Sequence, residues 1–213
     1  RNELFLPQTV KDILAKATGD IEVIAVLEGY WAEGLPEDKR FHIIHRGRAL
    51  GMRAAINSAA AIAKGDYLLK CDAHCMFAEG FDETLAADCA DNWIVIPRRY
   101  SLDAENWKPH KEPIDYEHIF WPYAHPDDLG VHARPWMQRS RERKDILIDE
   151  NMSFQGSCWL MSAEHFHKRL QGMNTFGYGS FRCEAQEIGL KTQLGSWEGK
   201  IMSNKKTWYA HLH

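Results

Sequence analysis

Hydrophobic and polar positions along this chain change period several times, and the changes divide its first hundred residues into alternating helices and strands. Thr9–Thr18 places Val10, Ile13, Leu14 and Ala17 at helical spacing and stops at Gly19. Ile21–Leu27 (IEVIAVL) is β-branched and apolar, the composition of a buried strand, and runs into Glu28–Gly29. Phe41–His45 (FHIIH) predicts a second short strand. Arg46–Lys64 is an Ala-rich helix with Gly47 and Gly51 near its beginning. Tyr67–Cys71 (YLLKC) is a short apolar run between turn residues, Gly80–Asn92 an amphipathic helix, and Trp93–Pro97 (WIVIP) a strand again. This alternation predicts an α/β domain with a mostly parallel central sheet flanked by helices. In such sheets ligands gather beyond the carboxyl ends of strands. Glu28 and the triplet Asp72–Ala73–His74 fall there.

The pattern then breaks. Arg98–Asn151 is rich in His, Pro, Trp and charge with little periodicity, which predicts a long functional loop or lid. It holds Trp136 with Arg134, Arg139, Arg141, Arg143 and Lys144. That basic patch reads as a solvated loop face, a lid over a diphosphate, or a surface for an anionic acceptor such as nucleic acid. His110, His118, His125 and His132 recur every seven or eight residues with no helical pattern around them, a coincidence of spacing. Ser153–Met161 is strand-like, Ala163–Leu170 a short helix, and Gly172–Gly179 a glycine-punctuated loop. Glu184–Leu194 is a helix opening with two acids, favourable at a helix amino end. The chain closes on Trp208–Tyr209–Ala210–His211–Leu212–His213.

Composition narrows the class. With 213 residues, 45% of them hydrophobic, the chain suits a single domain (1–213) with a substantial core. A net charge of −4 gives no global basic field for nucleic acid or an anionic membrane. No apolar run approaches the roughly 18 residues of a membrane span. The five cysteines, Cys71, Cys75, Cys89, Cys158 and Cys183, are odd in number and follow no zinc-ligand spacing. Buried free thiols in a reducing compartment, and so a cytoplasmic location, are the expectation.

Candidate chemistry centres on Asp72 and His74. Residues two apart on an extended backbone point to the same side, so this carboxylate and imidazole can converge. A divalent ion such as Mn²⁺ accepts that oxygen and nitrogen pair. An isolated D-x-H is more often an ordinary turn, so the flanking chain decides.

That flanking chain, RGRALGMRAAINSAAAIAKGDYLLKCDAHC (46–75), resembles the segment of GT-A nucleotide-sugar glycosyltransferases in which a Gly- and Ala-rich helix leads into a strand ending in D-x-D or D-x-H. It is most similar to the family 2 type and to the polypeptide N-acetylgalactosaminyltransferases, whose version reads D-S-H-C. FGYGSFRCEAQEIGLKTQLGS (176–196) resembles their W-G-G-E-N-x-E helix, with Glu184 and Glu187 on the two acids. Tyr209–Ala210–His211 sits where that family has a V-G-H-like metal histidine. Arg1–Asn2–Glu3 resembles the N-E pair after the family's first strand, and Leu27–Glu28 falls where D-D is frequent.

The resemblance implies a GT-A fold and transfer of a sugar from a nucleotide-diphosphate donor, UDP-linked, with Mn²⁺ or Mg²⁺. It assigns the metal to Asp72, His74 and His211, with His213 as fallback. Glu28, Arg53 and Asp72 would face the nucleotide and diphosphate, while Gly177 and Gly179 would let backbone approach the sugar. Glu184 leads for acid/base or sugar contact, and Glu187 would orient the acceptor. Each has a plainer reading: a strand-end acid, a salt bridge, turn glycines, a helix-dipole carboxylate, a solvated acid and, for His211, a frayed terminus. Two departures stand out. The family's first strand precedes the N-E pair, so a strand is expected before residue 1. Ala185 replaces the Asp that inverting relatives use as base, so either Glu184 takes that role or the outcome is retention. A nucleotidyltransferase, or a non-catalytic nucleotide- or glycan-binding domain, is the alternative. The acceptor stays open among glycan, small molecule and anionic polymer.

Overall fold

The computed structural model describes residues 3–120, 131–177 and 183–213. Helix α1 (Leu6–Lys16) precedes β1 (Val23–Glu28) and β2 (Phe41–Arg46), followed by α2 (Met52–Ile62), β3 (Tyr67–Cys71), β4 (Cys75–Phe77) and α3 (Phe81–Ala87). Strands β5 (Trp93–Asp103), β6 (Lys108–Ile114), β7 (Glu117–Phe120) and β8 (His132–Pro135) lead to α4 (Met137–Glu142) and β9 (Ile148–Asn151). Strand β10 (Cys158–Ser162), a π-helical turn (His165–Arg169), α5 (Glu184–Leu194) and β11 (Lys200–His211) complete the order.

The α/β expectation holds, but the main sheet is mixed rather than mostly parallel. Its seven strands follow the order β3-β10-β5-β11-β4, with β6 on β5 and β9 on β11. Within it only β5 and β11 run parallel, whereas β10, β4, β6 and β9 pair antiparallel. The other parallel pair, β1–β2, forms a separate two-stranded sheet. Helix–strand alternation ends near residue 97. Of the later strands, β6 and β10 enter antiparallel to β5, and only β11, which follows α5, runs parallel to it.

The strands at the centre are apolar on both faces because both are covered. Ile94, Ile96, Trp159, Met161 and Ile201 join one core with Phe166 and Ile188, under α5 and the π-helical turn. Their alternates Val95, Leu160 and Met202 join a second core with Ile13, Phe77, Phe81 and Leu85, under α1 and α3. The period of two in a pleated strand divides each run between the two layers.

The middle of the chain is not a structureless loop. It extends β5 to Asp103 and holds β6, the β7–β8 hairpin, α4 and β9. Segments such as KPHKEPI and HARP carry proline and charge, so they lack alternation, and they become strands by pairing with the preceding strands β5 and β7. Strand β11 is also hidden in sequence, because NKK (204–206) interrupts it where the register shifts against β5. Those polar groups are satisfied internally. Asn204 donates to Asp88 at 2.9 Å, and Lys205 donates to the Arg143 carbonyl at 2.6 Å.

Among the described residues, no ladder joins β1 to the main sheet. Between β1 and β3 opens a cavity of about 1600 Å³. Its apolar walls include Val23, Ala25 and Leu27 on one side and Leu68 and Leu69 on the other. Its polar end is the site.

Candidate active site

Asp72–Ala73–His74 links β3 and β4, the two ends of the strand order. Its backbone is pinned from three directions. The Asp72 amide donates to the Ser157 carbonyl at 2.9 Å, and Leu212 donates to the His74 carbonyl at 3.2 Å. From α1, the buried Thr9 hydroxyl donates to the Ala73 carbonyl and accepts from the Cys75 amide, both at 3.0 Å. His211, two residues from the end of the chain, lies opposite Cys75 in the β4–β11 ladder, which delivers its ring to the same turn.

The three side chains converge. His74 Nε2 lies 3.0 Å from His211 Nε2, and His211 Nε2 lies 3.2 Å from Asp72 Oδ2. The third side of the triangle, His74 Nε2 to Asp72 Oδ2, is 4.0 Å. Adjacent ligands of an octahedral ion with bonds of about 2.1 Å are about 3.0 Å apart, so two sides already match such an ion and the third needs a small adjustment. His74 Nδ1 faces Glu3 at 3.2 Å, a carboxylate suited to orient a ligating imidazole. His211 Nδ1 is buried without a hydrogen-bond partner among the described residues. His213 sits edge-on to His211, with ring centroids 4.8 Å apart, outside the converging set.

Electrostatics keep Asp72 and His211 in ligand form. Burial opposes ionisation of Asp72 more than any other single influence. The His211 hydrogen bond and the Lys70 ammonium together outweigh it and hold the carboxyl at about 2. Burial pushes His211 below the ordinary imidazole value against the pull of Asp72, which favours the neutral ring a metal needs.

Across the cavity, Glu184 begins α5 and is 9% exposed. A Cβ built on Gly156 would lie 2.0 Å from Glu184 Oε1, so any side chain there would displace that carboxylate. Lys70 lies on the other side of Gly156. Its ammonium is bonded to the Asp72 carboxylate and donates to the Gly156 carbonyl at 2.5 Å. Arg99 also faces the cavity, bonded to Gln155 and donating to Glu117 at 2.6 Å. Sequence reasoning missed Thr9, Lys70, Arg99 and Gly156. A readable signal existed for Lys70: a lone charge inside the apolar strand YLLKC requires a partner once buried.

Other expected residues are placed differently. Arg53 and Glu187 form a buried ion pair with each other; Glu187 also meets Lys191 at 2.6 Å and accepts from the Asn174 amide at 3.1 Å. Neither lines the cavity, so the pair ties α2 to α5 behind the site. Glu28 does line it, with its oxygens engaged by Arg46 at 2.9 Å and by the Leu50 and Gly51 amides at 3.1 Å. It thereby closes the amino end of α2, where Gly51 adopts φ +95°. Gly177 has φ +85° with open space around it, while Gly179 lies outside the described residues. His125 does too. In the basic stretch, Arg139 and Arg143 are both drawn onto Asp149, and Arg134 stacks on Phe120 with its guanidinium 3.8 Å from the ring centre. Arg141 and Lys144 remain exposed.

A sequence model described as Glycosyl transferase family 2 matches residues 1–170. The chain belongs to that family. This family 2 glycosyltransferase also matches a solved structure titled "Crystal structure of GalNAc-T7 with UDP, GalNAc and Mn2+", with a TM-score of 0.75 at 20% identity. The match covers 98% of this chain and 40% of that one. At that identity the likeness shows the fold, GT-A, as the resemblance implied. No curated protein matches in sequence. The family match ends before Glu184 and His211, so both residues rest on the geometry described above. No helix among the described residues is long and apolar enough to cross a membrane.

Proposed function

We propose that this glycosyltransferase moves a sugar from a nucleoside-diphosphate donor, UDP-linked, to a hydroxyl-bearing acceptor, with Mn²⁺ or Mg²⁺ held by Asp72, His74 and His211. The observation that carries the reading is the convergence of one carboxylate oxygen and two imidazole nitrogens at the mouth of a cavity large enough for a nucleotide sugar. One carboxylate and two imidazoles suit Mn²⁺, and the solved relative is named with UDP and Mn²⁺. When bound, the ion would neutralise charge gathering on the departing diphosphate.

The chain's own residues divide the remaining work. Asp72 and the two histidines fix the diphosphate end of the donor, and Glu3 steadies His74. Glu28 shapes the turn at the amino end of α2, against which the nucleoside would rest. Gly177, with open space around it, leaves room for the sugar. Glu184 faces the cavity from a helix start, where it can take the proton of an acceptor hydroxyl or bind the sugar. The bond from the anomeric carbon to the diphosphate breaks, a bond to the acceptor oxygen forms, and the acceptor proton leaves with a carboxylate or the released nucleotide. Arg53 and Glu187 act as a brace between helices. The five free thiols support the expectation of a reducing, cytoplasmic setting.

One observation favours a non-catalytic binding domain: Ala185, at the expected base position, is buried in the core. Product analysis separates the readings. Incubated with UDP-, GDP- and CDP-sugars and Mn²⁺, the protein is expected to release UDP, and chelator should abolish the release. Pyrophosphate from a nucleoside triphosphate and a sugar phosphate would make it a nucleotidyltransferase. Metal-dependent UDP binding without turnover, across a panel of glycan, small-molecule and polyanion acceptors, would make it a binding domain.

A further inference from the structure

Lys70 is a charged side chain set into the cavity wall beside Asp72 and Gly156, and neither the metal set nor the acid/base assignment uses it. Its side chain is 10% exposed, on β3 two residues before Asp72 and on the same side of the strand. The ammonium is bonded to Asp72 Oδ1, the oxygen that does not face His211, and donates to the Gly156 carbonyl at 2.5 Å. The charge of Glu184 also acts on it. An ammonium has three N–H donors, and two have partners among the described residues. Lys70 lines the cavity.

We infer that Lys70 is a positioning residue that limits Asp72 to one metal-facing oxygen and makes metal and nucleotide diphosphate bind as a pair rather than separately. The inference rests on the proposed metal and donor site. With Oδ1 occupied by the ammonium, Oδ2 alone is presented toward His74 and His211. The fixed positive charge opposes a free divalent cation in the empty cavity. Once the anionic diphosphate enters, the same charge attracts the metal–nucleotide complex. Lys70 therefore works against the ion alone and for the ion with its nucleotide.

Opposite signs make this testable. Mn²⁺ binding, followed by electron paramagnetic resonance, and Mn²⁺–UDP binding, followed by calorimetry, would be compared for wild type, Lys70→Met, Lys70→Gln and Lys70→Arg. Removing the charge should tighten free Mn²⁺ roughly tenfold and weaken UDP in the presence of Mn²⁺ by a similar factor, the scale of one charge acting at close range through partly buried protein. Lys70→Arg, which keeps the charge, should keep the wild-type ordering. If Lys70→Met does not fold, Lys70→Gln carries the comparison, since its amide can still donate to Gly156. A charge-removing variant that weakens both ligands, or neither, overturns the inference while leaving the metal site standing. A wild type that binds no Mn²⁺ even when UDP is present overturns the proposed function and this inference with it.

Discussion

Asp72 and Asp149 are both carboxylates held against the same long strand. Asp149 lies opposite Ser203 early in β11, and Asp72 meets His211 at its end, roughly 25 Å further along at strand spacing. Asp149 is saturated: Arg143 and Arg139 both reach it, and Tyr116 donates to it at 2.9 Å. Its side chain is 8% exposed against 29% for Asp72. Asp72 spends one oxygen on Lys70 and turns the other toward two imidazoles, which leave room for a cation. Both acids are held below the usual carboxylate range despite burial, so a lowered pKa does not distinguish them. The partners do. Guanidiniums complete a structural joint, whereas imidazoles at ligand spacing leave a site.

The largest expected effect is on the chemistry at Asp72. Asp72→Asn should reduce sugar transfer by about a thousandfold, the scale of losing electrostatic stabilisation of a leaving group, while circular dichroism stays native. Wild-type turnover in that variant would remove Asp72 from the site. Asp149→Ala should do the reverse, costing about 2–4 kcal/mol in urea unfolding because it strands two guanidiniums and a buried phenol, with Mn²⁺ affinity unchanged. Loss of Mn²⁺ binding there would erase the contrast.

His165 sharpens the same point for histidine. It is fully buried, with Nε2 2.8 Å from the Thr192 hydroxyl, and burial followed by the charge of Arg169 lowers it to about 4. Between about pH 6.5 and 4 the unfolded chain binds this proton and the folded chain does not, so stability rises with pH across that window and falls on acidification. The expected loss is about 2 kcal/mol by pH 4.5. His165→Gln should flatten the slope, and an unchanged slope would show that another group carries it. The smallest effect belongs to the exposed ends of the basic stretch. Arg141→Ala and Lys144→Ala should change donor KM less than about twofold and stability by less than about 0.5 kcal/mol. A larger rise in donor KM would restore the lid reading that the Asp149 joint argues against.

What could be read in advance follows from the same physics. Strands β1, β2 and β3 and helix α5 were legible, because a continuous apolar run or a helical period is a local signal. Asp72, His74 and His211 were legible as an ordered set of short motifs. Strands β6 to β8 were not, since proline and charge erase their alternation, nor were β9 and β11, whose partners lie distant in sequence. Arg53 and Glu187 looked like site residues because they are charged and well placed in the chain, yet they found each other first. Lys70, Thr9 and Gly156 escaped for the opposite reason: each matters through one contact that exists only after folding.

The most direct test of the metal-centred reading is thermal unfolding with UDP, with and without Mn²⁺, in wild type and Asp72→Asn. Saturation at about a hundred times Kd adds roughly 2.7 kcal/mol, a shift of a few degrees for a domain of this size. That shift is expected only when UDP, Mn²⁺ and Asp72 are all present. An equal shift in chelator, or in Asp72→Asn, would contradict the metal-centred reading.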